Sequence, residues 1–116
     1  KLGSGAKAVE MAKNVAAMDP SMAGKAYLLI GTIWGSAKCG GNEVESRAHF
    51  WVAVDYMKKA KDADPSLAED ANKLIGQYSR YFPQQADAFM YDIIDGSSYS
   101  VSCNGMREAT VVRTLK

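Results

Sequence analysis

The segment Asp19-Pro20-Ser21-Met22-Ala23-x-x-Ala26-x-x-Leu29-Ile30-Gly31 returns 45 residues later as Asp64-Pro65-Ser66-Leu67-Ala68-x-x-Ala71-x-x-Leu74-Ile75-Gly76, and only Met22 against Leu67 differs. A match held in register over this length implies a duplicated unit, and duplication implies supersecondary elements that stack because none buries its apolar face alone. Each Asp-Pro pair also fixes a helix start. The aspartate accepts hydrogen bonds from unpaired first-turn N–H groups, and proline supplies a pre-set φ at the first helical position. Helices are therefore expected over residues 5–18, 21–37, 45–63 and 66–82. Lys38-Cys39-Gly40-Gly41-Asn42 interrupts the pattern and is expected to form the widest loop. Four helices in antiparallel pairs result, with Gly31 and Ala53 small enough for a close approach.

The pattern Tyr27-x2-Ile30-Gly31-x2-Trp34, followed by Ala53-x3-Met57-x2-Ala60-x4-Pro65, resembles the two half-motifs of a tetratricopeptide repeat (TPR). Ala8-x3-Ala12-x2-Val15-x4-Pro20 is similar to the second helix of a preceding unit. Ile75-Gly76 with Tyr78 is similar to the first helix of a following one. The resemblance implies a solenoid fragment, one whole repeat flanked by two halves. The 45-residue offset exceeds the usual ~34, and HEAT-type repeats with periods near ~45 are the alternative. The intact spacing within both half-motifs favours the tetratricopeptide reading.

After Pro83 the pattern changes. Residues 84–91 suit a short amphipathic helix with Ala88, Phe89 and Tyr91 partly buried. Ser98 to Cys103 alternates polar with apolar residues, and Asn104-Gly105 is a type I′ turn signal leading into Thr110-Val111-Val112-Arg113-Thr114. A two-stranded hairpin is marginal alone, so it is expected to lie on the apolar Phe50 to Val54 run of the third helix and to cover the partnerless fourth helix. The fold class is thus mainly α with a C-terminal β-hairpin, residues 1–83 forming the repeats and 84–116 packing on them as one domain. Tyr81-Phe82-Pro83, Ala88-Phe89, Asp95-Gly96 and the closing Arg107 to Thr114 further resemble the C-terminal end of uncharacterised tetratricopeptide proteins of Gram-negative gut bacteria. That resemblance implies export to the periplasm or cell envelope, and no catalytic residues.

Several function classes find little support. Basic and acidic side chains number 14 and 13, a net charge of +1, and Lys58, Lys59 and Lys61 have the acidic neighbours Asp55, Asp62 and Asp64, so no nucleic-acid partner is expected. The apolar run Phe50 to Val54 is far shorter than the ~20 residues of a membrane span. Residues 1–7 lack the charged-then-apolar order of a signal peptide and read as mid-protein sequence. Cys39 and Cys103 are too few for a disulfide framework and are not spaced as a metal site. One lies in the long turn and one beside the hairpin turn, and the sequence leaves their pairing open. His49, the only histidine, reads as a polar residue on a helix flank, and Asp92 and Asp95-Gly96 read as a turn lacking the ligand order of a calcium loop. Arg80, Asp87 and Glu108 have no catalytic spacing. Neither cofactor, metal nor enzymatic activity is expected.

What remains is a partner-binding or scaffolding module. With Tyr27, Ile30, Gly31 and Trp34 buried, the next stripe at helical spacing is Leu28, Thr32 and Gly35, with counterparts Lys73, Gln77 and Arg80. In stacked repeats such positions line a concave groove for a protein or peptide partner, and a homo-oligomer is a further possibility. The alternative is a carbohydrate or other small ligand stacked on Tyr78, Tyr81, Phe82, Phe89, Tyr91 and Tyr99.

Overall fold

The computed structural model describes residues 4–103 and 105–115. Four helices carry the fold: α1 (Ser4–Met18), α2 (Ala23–Ser36), α3 (His49–Ala63) and α4 (Ala68–Ser79). A short α5 (Gln85–Met90) follows, and then an antiparallel hairpin of β1 (Ser98–Cys103) and β2 (Met106–Val111). The chain is mainly α with a C-terminal β-hairpin.

The duplication is visible in atomic detail at the two Asp-Pro pairs. Asp19 and Asp64 both adopt extended backbone, and each begins a single 3-10 turn that runs into the next helix. In each, one carboxylate oxygen accepts from the amide of the serine two residues on, at 3.1 and 3.0 Å, and from that serine's hydroxyl at 2.6 Å. α2 and α4 therefore start two residues later than the expected residues 21 and 66, because the capped turn is wound tighter than α.

Helix order follows from close contacts. A β-carbon at Gly24 would meet Asp64 and Ala60, while one at Gly31 would meet Met57 and Ala53, so α2 runs antiparallel to α3. The same logic applied to Gly5 against Ile33 pairs α1 with α2. Phe50 beside Tyr78 and Lys61 bonded to Asn72 pair α3 with α4. The buried core is Ile30, Trp34, Val44, Trp51, Val52 and Met57 with their neighbours.

Two expectations about the middle and the tail need correction. α3 begins at His49, not at residue 45. Asn42 accepts from the amides of Val44 and Glu45, and Glu45 accepts from the Asn42 amide, a reciprocal capping box. The next bonds run three residues back, Arg47 to Val44 and Phe50 to Arg47, so residues 43–48 form turns that bury Val44 and Ala48. In the tail, the second strand starts at Met106 instead of Thr110, with Cys103 opposite Met106. Of the expected Asn104-Gly105 turn, Asn104 lies outside the described residues, and Gly105 has φ +83°.

The hairpin lies on α3 and also reaches α1. The Trp51 indole donates to the Arg113 carbonyl at 2.7 Å, and the Arg113 guanidinium donates back to the Trp51 carbonyl at 2.9 Å and pairs with Asp55 at 2.8 Å. Thr110 donates to the other oxygen of Asp55. Glu108 accepts from Tyr56 at 2.5 Å and pairs with Lys13 of α1. Cys103 is joined to Cys39 in a disulfide, tying β1 to the loop after α2.

The hairpin does not cover α4 as expected. Phe89, expected to be partly buried, is 81% exposed, and Tyr91 and Val111 are exposed too, although Ala88 is buried. Where α2 has Tyr27, Leu28 and Trp34, α4 has Asn72, Lys73 and Ser79. The exposed side chains of α4, Glu69, Asp70, Asn72, Lys73 and Gln77, are polar or charged.

Candidate partner-binding surface

α2 approaches α4 near its C-terminal end, where a β-carbon at Gly35 would fall 2.3 Å from the Tyr78 ring. Only a residue without a side chain allows that ring to rest there. Gly35 belongs to the stripe of Leu28 and Thr32 at helical spacing, so this stripe borders α4 at its upper end. Leu28 is half-buried against the core, Thr32 is exposed, and Lys73 and Gln77 on α4 and Arg80 at its C-terminal cap are exposed. The Thr32 hydroxyl donates to the Leu28 carbonyl at 2.8 Å.

The aromatic residues do not form one stacking platform. Tyr78 and Phe82 are buried, and Tyr99 meets Trp51 edge-on with ring centres 5.4 Å apart. Tyr81 is stacked on Phe50 at 5.0 Å. Phe89 on α5 and Tyr91 just after it are exposed. The rings are thus divided between core and surface.

His49 is not a flank residue but is buried, 3% exposed, and its Nδ1–H donates to the Trp34 carbonyl at 2.7 Å. Burial holds its pKa below the ordinary histidine value, against the opposing pull of the Trp34 and Ser46 carbonyls. An unfolded chain protonates this ring at about pH 6.5 and the folded chain only lower, so its contribution is complete above that pH and is lost as pH falls through the folded pKa. Thermal melts should thus show a lower Tm at about pH 5 than at about pH 7.5, and His49→Gln should shrink the difference. An equal difference in the variant would assign the acid sensitivity elsewhere.

Tyr56 is also held in its neutral form, by burial first and by its hydrogen bond to the Glu108 carboxylate second. It braces the hairpin through that bond. Among the described residues no three His, Cys, Asp or Glu side chains are placed to hold a metal ion, and no helix is long and apolar enough to cross a membrane.

The sequence could not single out the apolar groove between α1 and α2, lined by Ala12, Val15, Met22, Ala26 and Leu29 with Lys25 at its rim. Its signal was the apolar residues left over on α1, Met11, Val15 and Met18, which a solvated helix face does not need.

A comparison of the chain with protein-family models, with curated proteins and with solved structures finds no match in any of the three.

Proposed function

We propose that this chain is a non-catalytic partner-binding module of the tetratricopeptide type, which receives an extended polar or acidic peptide along the strip formed by Leu28, Thr32, Lys73, Gln77 and Arg80. The observation that carries this reading is the contact of Gly35 with Tyr78. It brings the C-terminal end of α2 against the Tyr78 ring of α4, and Thr32, Lys73, Gln77 and Arg80 stay exposed. Two cationic heads and two hydrogen-bonding side chains along one strip suit a peptide with carboxylates and free backbone groups. The Cys39–Cys103 bond supports an exported protein, since disulfides persist in oxidising compartments.

The test is site-specific photo-crosslinking in the native cells, with the reactive group at Thr32 or Gln77 and a control at exposed Lys58. Discrete adducts are expected from the first two positions, and they should disappear when Lys73 and Arg80 are both changed to glutamate. Absence of adducts at both positions, or the same adducts from Lys58, would refute the reading.

A further inference from the structure

The groove between α1 and α2 has a filled counterpart in the same molecule. Shifted by 45 residues, its lining residues Ala12, Val15 and Met22 become Met57, Ala60 and Leu67. Those are the groups on which α2 rests. A β-carbon at Gly31 would lie 2.8 Å from the Met57 side chain and 3.2 Å from Tyr56, and one at Gly24 would lie 3.2 Å from both the Ala60 carbonyl and the Leu67 side chain. Under α2, Tyr56, Met57 and Ala60 are buried. At the equivalent open seat Met11, counterpart of Tyr56, is 68% exposed, and Val15, counterpart of Ala60, is 40% exposed.

We propose that this groove seats an α-helix of α2's own pattern, the first helix of a further repeat unit stacked on α1. The filled seat defines the chemistry of the occupant: an apolar helix with small residues seven positions apart, as Gly24 and Gly31 are, so that its backbone comes down onto α1. The α4 helix of a second copy does not qualify. At the positions of Gly24, Leu28 and Gly35 it has Glu69, Lys73 and Arg80, and it would bring charges into an apolar groove without partners. The stack therefore has a direction, closed by the polar face of α4 and open for extension at α1. This inference goes beyond the peptide strip and uses a different surface.

A peptide of residues 20–36, carrying a fluorophore at its N-terminus, is the probe, and anisotropy with the intact oxidised chain is the readout. Saturable binding is expected. Val15→Glu and Met11→Glu should each weaken it about tenfold or more, since each buries a carboxylate against hydrocarbon. Both side chains are exposed enough for the variants to keep the parent fold, which circular dichroism checks. A peptide with Gly31→Leu should fail to bind, because the close approach is blocked. Lys73→Glu in the chain, which tests the peptide strip, should leave this binding unchanged. The proposal is overturned if no saturable binding occurs, or if binding ignores both groove substitutions. It is also overturned if the chain alone self-associates and Val15→Glu makes it monomeric, which would make a second copy the occupant.

Discussion

Serine in place of Cys103 is expected to lower the folding free energy by about 4 kcal/mol, the chain-entropy value for a closed loop of this size. The bond joins residues 64 apart in sequence, with Cα atoms 5.6 Å apart. Its removal frees residues 39–103 of the unfolded chain, which include α3, α4 and α5, from a constraint, while the hairpin keeps its polar contacts to α3. For a domain of this length the melting temperature should drop by roughly 10–15 °C. Denaturant melts of the parent, with and without reductant, and of Cys103→Ser provide the measurement. Equal midpoints would show that the bond adds nothing to the folded state.

The second large effect is a contrast between two glycines that the duplication makes equivalent. Gly31→Leu should cost about 3 kcal/mol or more, because overpacking a close helix contact displaces backbone as well as side chains. A β-carbon there would lie 3.1 Å from the Ala53 carbonyl, a group that cannot swing aside. Gly76→Leu, its counterpart, has nothing within 4 Å of its β-carbon, and leucine there should stabilise by a few tenths to about 1 kcal/mol through helix propensity alone. Thermal melts of the two variants side by side test the contact directly. An unchanged Tm in Gly31→Leu would mean that α2 does not rest on α3 at this point, and a large loss in Gly76→Leu would mean that α4 has a neighbour there.

The readable part of the fold was the part encoded locally. Asp19-Pro20 and Asp64-Pro65 cap their own turns with their own serines, so the pattern of residues is already the pattern of bonds. Gly31 and Ala53 were legible because a glycine opposite a small residue admits few readings other than close packing. The tail was legible as a hairpin but not in its placement. Its anchors are Trp51 with Arg113, Tyr56 with Glu108 and Lys13 with Glu108, pairs 62, 52 and 95 residues apart. No local periodicity records such pairings. Apolar content alone suggested that the tail would cover α4, but the polar substitutions on α4 had already made cover unnecessary. His49 was misread for a similar reason: a lone polar residue looks like surface until its backbone acceptor, the Trp34 carbonyl 15 residues earlier, is in view. Of the candidate strip, the stripe was legible from helical spacing and the contact of Gly35 with Tyr78 was not, because it joins two units.

The reach of the hairpin back to α1 bears on how the protein acquires its structure during synthesis. Solenoid units contact only their neighbours and can form one after another as the chain lengthens. Here Glu108 meets Lys13, 95 residues before it, and the partner of Cys39 is Cys103. While a ribosome or a translocation channel still holds residues 98–113, the nascent helices wait with the Trp51 indole and the Asp55 carboxylate lacking their native partner until Arg113 has emerged. The helical part is thus completed only after the hairpin segment that follows it has been released.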